Sequence, residues 1–488
     1  MAKLHPMLEP FSGSSTEPWD RMRAAHLLNR LTWGGTRDEI DRVVSLGARK
    51  AVDELLDFPD APADELSQSD TPDLSNIEGY PKTFAERRDM FKGKSAEERM
   101  LLQQRLAQAN QQALRQVAIW WIKRMVKGPY PAHEKLTFFW HGHFTTSAKD
   151  ERSAWLMWQQ NETWRQHAAG SFEKFVRAVS RDPAMLDFLN NQQNRKRHPN
   201  ENYARELMEL FTLGIGNYTE ADIREGARAF TGWAHDGEAF IFRKFDHDDE
   251  PKTFMGRRGN FDGDDVISLI LQNKSCAPYV ASRLWTFYVN DEPDPAIIAS
   301  LSDVFKDNNF ELRPLLRTMF LSKAFYDTRN IGAQIKSPLQ LVVGTMRKLG
   351  VPVPDYGRLY GAMEQMGQVP LMPPNVKGWP GGRTWINTST LFVRQNTALW
   401  LAGGAPIDTG KRLKNAANKR QKNKTQIDID LDQKPSEIVD EWLVSLIQRP
   451  VEEYRRRVLV EAVGDTPSEA SVRNMINLIL SMPEYQLC

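Results

Sequence analysis

The feature that most constrains the fold is the stretch from Ser95 to Lys127, which contains no glycine or proline. It is rich in Gln, Ala and Leu, residues with high helix propensity, and it predicts one long helix or a helical hairpin. Helical spacing of apolar residues recurs along most of the chain, and several of these runs end at a glycine, as in 20–34. The chain is therefore predicted to be mainly α, a large multi-helix body.

Two segments depart from the helical pattern. In 239–255, the sequences FIFRKF and KTFM flank a turn-rich segment, which predicts one small β-hairpin on the surface. The stretch 367–390 is rich in proline, glycine and tryptophan. It is too irregular for a helix and too aromatic for a solvated linker, so we expect a long packed loop.

The length of 488 residues corresponds to roughly three domains at about 150 residues each, although one large helical body also accounts for it. We predict a helical core over 1–410, with an irregular excursion at 60–95. A charged linker or loop follows at 411–434, and a C-terminal helical segment at 435–488 is expected to pack on the core. The basic run within 411–424 is typical of a solvated loop or of a contact with a phosphate or a partner.

Charge and hydropathy exclude several classes. Lys and Arg total 64 against 63 Asp and Glu, for a net charge of +1, which argues against a dedicated nucleic-acid binder. No run of about 18 apolar residues predicts a transmembrane segment, and no signal peptide is visible at the start. Its absence predicts a cytoplasmic protein, with export bound to a partner as the alternative.

The two cysteines, Cys276 and Cys488, are too far apart for a CxxC motif, and they do not form a disulfide framework. Cys276 is predicted to be a small buried thiol. Cys488 is expected to be mobile or exposed.

His141 and His143 are the first candidates for chemistry. On a strand, a His-x-His pair points both rings to one face, as metal ligation requires. On a helix, Leu136, Phe139 and His143 share a face, which predicts a core-side His143 and a surface His141. Both interpretations stay open. If the segment is a strand, a divalent metal is the expected cofactor.

The second candidate is the segment from His198 to Leu210. Glu201, Arg205 and Glu209, spaced i, i+4 and i+8, predict an exposed charge ladder. Glu206 instead falls at the edge of the apolar stripe, where a carboxylate needs a partner or takes a raised pKa. One interpretation is an ion pair with a buried arginine, and the other is a catalytic acid, base or metal ligand. The candidate catalytic residues are Glu206, His143, Asn202, Arg205 and His198.

A third candidate is the acidic turn 246–250, where His247 and Asp248 could join His141 and His143 as metal ligands. Turn propensity alone also explains this composition. Trp140, Trp233 and Trp379 are candidates for an aromatic substrate platform, with core packing as the alternative. Motifs of α/β-hydrolases, P-loop proteins, dinucleotide-binding proteins and zincins are missing from the sequence.

The order of particular segments strongly resembles a bacterial family known as domain of unknown function 1800. The segments that carry the resemblance are AAHLLNRLTWG (24–34), KLTFFWHGHFTTS (135–147), DPAMLDFLNN (182–191), NENYARELMELFTLGIGNYTEADIREGARAFTGW (200–233), KTFMG (252–256), PPNVKGWPGGRTWIN (373–387) and the terminal SMPEYQLC. Positions that match the family pattern are His26, His143, Asn202, Arg205, Glu206, Trp233, His247, Lys252, Gly378 and Trp379.

The resemblance implies a helical protein and no particular reaction. Members of this family often begin with a signal sequence, from which this chain departs. They are often encoded beside the family domain of unknown function 1501, whose proteins resemble sulfatases and alkaline phosphatases, so a protein of that family is an implied partner. Lys252, as part of the pattern, is added to the candidate substrate-binding residues.

Two functions follow as hypotheses. In the first, the chain is an enzyme with a Glu/His acid–base or metal site, formed where Glu206, Asn202, His143 and the His247 turn meet, and it acts on a polar, glycan- or peptide-like substrate. In the second, it is a non-catalytic helical scaffold for the sulfatase-like neighbour, and it presents a broad apolar surface patch.

Overall fold

The computed structural model describes residues 4–59, 71–81, 84–149, 153–351, 355–403 and 427–488. Twenty α-helices and four short strands lie within these ranges, so the mainly α prediction is confirmed. The first ten helices are α1 (Arg21–Leu31), α2 (Arg37–Leu56), α3 (Phe84–Phe91), α4 (Ala96–Lys127), α5 (Pro131–His143), α6 (Ala154–His167), α7 (Phe172–Ser180), α8 (Pro183–Phe188), α9 (Asn202–Glu206) and α10 (Glu220–Ala229).

The other ten helices follow the strands. They are α11 (Gly263–Leu271), α12 (Cys276–Tyr288), α13 (Pro295–Asp307), α14 (Leu312–Leu321), α15 (Pro338–Leu349), α16 (Tyr356–Gln365), α17 (Thr388–Leu401), α18 (Pro435–Leu446), α19 (Glu453–Val463) and α20 (Glu469–Ser481). Among the helices described, none combines the length and apolarity that crossing a membrane requires.

Helix α4 is one continuous helix rather than a hairpin. Its N-terminus is a capping box, in which the Ser95 hydroxyl accepts from the Glu98 N–H and the Glu98 carboxylate accepts from the Ser95 N–H. Helix α10 begins in the same way, with a capping box between Thr219 and Asp222. Both starts satisfy N–H groups that have no partner within the helix.

The strands form two hairpins, so the single hairpin predicted over 239–255 is wrong. Strand β1 (Trp233–His235) pairs antiparallel with β2 (Phe240–Phe242), and β3 (Lys252–Phe254) pairs antiparallel with β4 (Arg257–Gly259). The FIF and KTF segments thus belong to different sheets. The β3–β4 turn places Met255 at φ 47° and Gly256 at φ 75°, the two positive values that a type I′ turn requires.

Two large apolar clusters form the core. One is built mainly from α1, α2 and α7 to α14, and the other from α4, α6 and α15 to α20. Helix α5 contributes to both, because Phe139 and Trp140 belong to the first cluster and Phe138 to the second. This position buries α5 on more than one side and brings its C-terminal end close to the segments that form the candidate site.

The domain prediction is only partly covered by the described residues. The excursion at 60–95 contains α3, while 60–70 and 82–83 lie outside the described ranges. Most of the predicted linker at 411–434 also lies outside them. In the packed loop, Leu371 and Trp385 are buried, and α17 begins at Thr388.

Both cysteines are free and buried. This confirms the prediction for Cys276, but the expectation of an exposed Cys488 is wrong. An isolated bridge pairs Ile335 with Leu487, and the Cys488 N–H donates to the Gln334 carbonyl at 2.8 Å. These main-chain bonds hold residue 488 inside the fold.

Candidate functional site

His143 lies at the C-terminal end of α5 and is only 2% exposed. Its Nε2–H donates to the carbonyl of Phe211 at 2.8 Å. This bond leaves Nδ1 as an unprotonated acceptor, and that atom is buried with no hydrogen-bond partner among the described residues. Burial, followed by the charge of Arg283, lowers the His143 pKa to about 3, so the imidazole is neutral near pH 7.

His141 is buried too, so its predicted surface position is wrong. Its Nε2 accepts the N–H of Leu371 at 3.0 Å, and its ring centroid lies 4.6 Å from Trp164 and 5.3 Å from Trp379. Burial lowers its pKa to about 3. Because α5 remains helical through His143, the i, i+2 spacing points the two rings to different faces, and they bond to different parts of the chain.

A π-helical segment, Leu207–Thr212, continues directly from α9. Turns of this kind are rare and are frequently found at functional sites. Carbonyl groups near a helix C-terminus lack partners within the helix, and here side chains supply them. The Leu210 carbonyl accepts from the Tyr279 hydroxyl at 2.7 Å, and the Phe211 carbonyl accepts from His143, so α5 and α12 fix this segment in place.

Glu206 stands at the start of the π segment and is half-buried. Within the described part of the chain, its carboxylate has no hydrogen bond or ion pair. Burial and the nearby charge of Glu209 raise the Glu206 pKa, while Lys377 and Arg205 act in the opposite direction. The carboxyl group therefore keeps its proton to a higher pH than an ordinary glutamate.

Glu209 lies one turn further along the π segment. Its Oε2 accepts a hydrogen bond from the Tyr218 hydroxyl at 2.7 Å. Burial and this bond raise the Tyr218 pKa, so the phenol remains protonated and continues to donate. The two carboxyl groups thus lie in different surroundings. Glu206 has no hydrogen-bond partner among the described residues, whereas Glu209 accepts a hydrogen bond from the Tyr218 phenol.

Two basic side chains from other parts of the chain lie near different members of this site, Lys377 near Glu206 and Arg283 near His143 and Tyr279. Lys377, in the predicted packed loop, is exposed and lies close enough to Glu206 to affect its pKa. Arg283, on α12, is exposed and affects both His143 and Tyr279. Neither side chain has an ion pair or hydrogen bond among the described residues, so both are free to bind a ligand.

Gly378 fixes the loop that carries Lys377. A Cβ atom at Gly378 would lie 2.7 Å from the carbonyl oxygen of Gly142, at the end of α5. Its φ is also +79°, a value that side-chain-bearing residues rarely adopt. Glycine at this position therefore permits direct contact between the loop and the C-terminal end of α5.

Gly378→Ala is expected to lower the free energy of unfolding by about 2–3 kcal/mol, the sum of left-handed strain and overlap with a main-chain oxygen. Gly381→Ala is the matched control, because Gly381 has φ +73° in the same loop and its Cβ would meet nothing within 4 Å. We expect the control to lose only about 1 kcal/mol in urea unfolding. Equal losses for the two variants would show that the Gly142 contact does not hold the loop.

The other candidate catalytic residues have partners of their own. The Asn202 side-chain amide donates to the Leu189 carbonyl at 3.3 Å. Arg205 pairs with Glu220 at 2.9 Å and with Glu201 at 3.1 Å. His198 is exposed, and its main-chain N–H, not its ring, donates to the Arg195 carbonyl at 2.9 Å. The predicted ladder thus forms between Glu201 and Arg205 and does not extend to Glu209.

The predicted acidic turn is partly buried and lies between the two hairpins. His247 donates through Nδ1 to the Thr231 carbonyl at 2.8 Å, and Asp248 pairs with Arg228 at 2.7 Å. The buried Lys252 ammonium donates to the Asp248 carbonyl at 2.6 Å. No bond joins His247 or Asp248 to Glu206 or His143 in the described structure, nor does that structure group three or more His, Cys, Asp or Glu side chains as a metal site.

The three candidate tryptophans lie in different surroundings. Trp140 is completely buried, and its indole N–H donates to the Ala168 carbonyl at 2.8 Å. Trp233 is 4% exposed and lies under the guanidinium of Arg181, 4.7 Å from the ring centroid. Trp379 is half-buried, which leaves it the most accessible of the three.

Sequence reasoning missed several members of this site. Tyr279, Arg283 and Lys377 are distant from Glu206 in the chain, Tyr218 lies past the glycines that follow the π segment, and each is an ordinary residue in its own segment. Lys377 stands in the PPNVKGW segment next to Gly378. A lysine beside a glycine in a packed aromatic loop was the one local signal that could have identified it.

Comparison with known proteins bears on the whole chain. The model of the family described as Protein of unknown function (DUF1800) matches residues 26–487, a range that includes α5, the π segment and the loop with Lys377. No curated protein and no solved structure matches the chain. With nearly its whole length matched by one family model, the chain belongs to the DUF1800 family.

Proposed function

We propose that this protein is an acid–base enzyme that acts on a polar, glycan- or peptide-like substrate, with Glu206 as its general acid or base. The observation that carries the proposal is the half-buried Glu206 carboxyl group, which has a raised pKa and no bonding partner in the described structure. A carboxyl group that serves only the fold is normally paired when it leaves water. Unpaired and perturbed carboxyl groups are typical of catalytic sites.

Burial and the charge of Glu209 near the Glu206 carboxyl group raise the Glu206 pKa, which supports proton transfer by Glu206. A general acid works best when its pKa lies near the working pH, and burial beside another carboxylate shifts a glutamate in that direction. Glu209 already accepts a hydrogen bond from Tyr218, which leaves Glu206 as the group that can exchange a proton with a ligand.

Lys377 and Arg283 supply the polarity of the binding surface. Both carry N–H donors and are exposed. Hydrogen bonds from charged donors to carboxylate, phosphate or hydroxyl oxygens are stronger than those between neutral groups. We assign these two residues to binding the polar part of the substrate.

We assign His143 a positioning role. Its pKa of about 3 makes the imidazolium form too scarce near pH 7 for it to act as an acid, and its Nε2–H is engaged by Phe211. The bond to Phe211 instead holds the π segment that carries Glu209. Among the described residues, no group of three or more His, Cys, Asp or Glu side chains could hold a metal ion, which favours the acid–base mechanism over the metal mechanism for this site.

Glu206→Gln tests the proposal. We expect it to lower the rate by at least about 100-fold, the usual scale of general acid–base catalysis. In the unsubstituted protein, activity that needs protonated Glu206 should fall as the pH rises through its raised pKa, and the variant should lose this dependence. A set of nitrophenyl glycosides and peptide nitroanilides is first screened for hydrolysis by the unsubstituted protein. The pH–rate profile is then measured on any substrate that this screen identifies.

Glu201→Gln is the matched control. Glu201 lies nearby at the start of α9, and its carboxylate pairs only with Arg205 among the described side chains, at 3.1 Å. We expect it to keep the rate and the pH profile of the unsubstituted protein. Activity that survives in Glu206→Gln, with an unchanged pH profile, would contradict the proposal, as would the absence of hydrolysis across both substrate classes.

The alternative, a scaffold for a protein of the domain of unknown function 1501 family, requires a broad apolar surface. The most exposed large apolar side chains in the described ranges are Phe245 at 92% and Ile215 at 75%. They lie on different segments, the first between the hairpins and the second after the π segment. Exposed apolar residues on separate segments are ordinary on protein surfaces. They support the scaffold function less well than the Glu206 carboxyl group supports the enzyme function.

A further inference from the structure

A second region of the molecule, away from the Glu206 carboxyl pair, contains a cavity of about 760 Å³. It lies between α3, α4, α6 and α16, and Met372 of the packed loop borders it. This volume falls within the range of about 300–1,000 Å³ that is typical of small-molecule sites. None of the residues assigned to the proposed acid–base site lines it.

Aromatic side chains held in fixed positions form much of the cavity wall. The indole N–H of Trp155 donates to the Pro81 carbonyl at 3.1 Å, and the Tyr80 hydroxyl donates to Asn110 at 3.2 Å. Tyr360 faces the same space, and the buried Leu114 adds apolar surface. Aromatic rings whose polar atoms are already bonded present their apolar faces, which suit a flat apolar group.

The charges that line the cavity are mostly positive. Among the described lining residues, three are basic, Arg87, Arg115 and Lys149, and one, Glu364, is acidic. Arg115 is held by a bond to the Gly357 carbonyl at 3.2 Å and lies 5.1 Å from the centre of the Tyr360 ring. Arg87 and Lys149 are exposed and have no side-chain partner among the residues described, so their N–H donors are free.

We propose that this cavity binds an anionic ligand with a flat aromatic body, such as an aryl carboxylate, sulfonate or phosphate. The aromatic wall takes the ring, and Arg87 and Lys149 pair with the anionic group. An anion suits this site better than a neutral or cationic molecule because, among the described lining residues, unpaired cations outnumber carboxylates. This site is independent of the proposed acid–base reaction, and its ligand need not be the substrate.

The test uses two dyes that differ in charge. The anionic probe is 1-anilinonaphthalene-8-sulfonate, and the neutral probe is N-phenyl-1-naphthylamine, which has the same aromatic body without the sulfonate. We expect the sulfonate to bind with one site per chain, at least about tenfold more tightly than the neutral dye, since one charge-assisted contact corresponds to about that factor. Fluorescence titration and calorimetry give both dissociation constants.

Variants locate the site. The double variant Arg87→Gln/Lys149→Gln should weaken sulfonate binding at least about tenfold and leave the neutral dye within twofold. Arg105→Gln is the matched control, because Arg105 is exposed on α4 and does not line the cavity, and it should change neither dissociation constant. Trp155→Ala should weaken binding of both dyes.

Three results would overturn the proposal. The first is a failure of the sulfonate to bind at one site. The second is equal affinity for the two dyes, or no effect of the double variant, which would remove the preference for an anion. The third is sulfonate binding that survives Trp155→Ala together with the double variant, which would place the dye elsewhere. Because every readout is binding, these results do not depend on the role of Glu206.

Discussion

Replacing Glu134 by glutamine is expected to lower the free energy of unfolding by about 3 kcal/mol, the lower end of the range for breaking a buried ion pair, because Arg165 keeps Glu162 as a second counter-charge. Glu134 is 3% exposed. Its carboxylate accepts two hydrogen bonds from Arg165, at 2.9 Å each, one from Arg124 at 3.0 Å and one from Trp121 at 2.8 Å. These bonds join α4, α5 and α6, so the loss should appear as a lower urea midpoint at pH 7.

The pH dependence gives a second test of the same network. Burial alone would raise the Glu134 pKa, but Arg165 and Arg124 outweigh it and hold the pKa at about 2. A carboxylate with a lowered pKa stabilises the fold above its usual value of 4.5, and this stabilisation is lost as the pH falls towards 2. The difference between the unsubstituted protein and Glu134→Gln should therefore shrink between pH 5 and pH 2.

The control for this experiment is Glu173→Gln. Glu173 is half exposed and pairs with Arg177 one turn away on α7, a kind of ion pair that contributes little to stability. We expect its urea midpoint to remain close to that of the unsubstituted protein. A Glu134→Gln protein with the same midpoint as this control would show that the buried network does not join the helices.

Replacing Trp140 by alanine is expected to cost about 3–5 kcal/mol of unfolding free energy, as is usual for removal of a fully buried large aromatic side chain. Trp140 has no exposed surface. Its ring packs against Phe175 at 5.0 Å and Phe144 at 5.5 Å between centroids, and its N–H bond to Ala168 would be lost as well. Urea unfolding followed by circular dichroism measures this change.

The Trp140 experiment also separates core packing from the substrate contact that the sequence suggested. Trp140→Phe keeps an aromatic ring, so we expect a smaller loss of about 1–2 kcal/mol from the missing hydrogen bond and volume. Phe245→Ala, at a side chain that is 92% exposed, should leave the stability almost unchanged. A Trp140→Ala protein that unfolds like the Phe245→Ala control, but has lost activity, would instead place Trp140 in the binding site.

Helices were the part of the fold that the sequence predicted best, because their signals are local. The run without glycine or proline became α4, one continuous helix. Strand partners depend on contacts between segments, which explains the error at 239–255. Strand propensity marked FIF and KTF, but each of them pairs with a three-residue neighbour that is too short to show a pattern.

The position of His141 could not be predicted from helical periodicity. A helical wheel assigns one face to the core and the other to solvent, which holds for a helix at the surface. Helix α5 instead packs against both apolar clusters, so histidines on different faces are buried. Only the complete tertiary packing shows this arrangement.

Among the residues of the candidate site, the sequence singled out His143 and, for a physical reason, Glu206. Its place at the edge of an apolar stripe indicated a perturbed carboxyl group, and its pKa is raised. Glu209 was assigned to a ladder with Arg205 on the assumption of α-helical geometry. The π segment changes the rotation per residue, and Glu209 instead bonds to Tyr218, while Arg283 and Lys377 come from distant parts of the chain.

The π-helical turn at 207–212 makes the geometry of the candidate site sensitive to the deletion of a single residue from this segment. A π-helical turn is equivalent to an α-helix that holds one additional residue, so an in-frame loss of a single codon here would restore regular winding. The shortened helix would gain better hydrogen-bond geometry, while every side chain after the lost residue would rotate by roughly 100°. At this point in the sequence, regular winding and the hydrogen bonds that the Leu210 and Phe211 carbonyls accept from Tyr279 and His143 are alternatives, and the chain has the second.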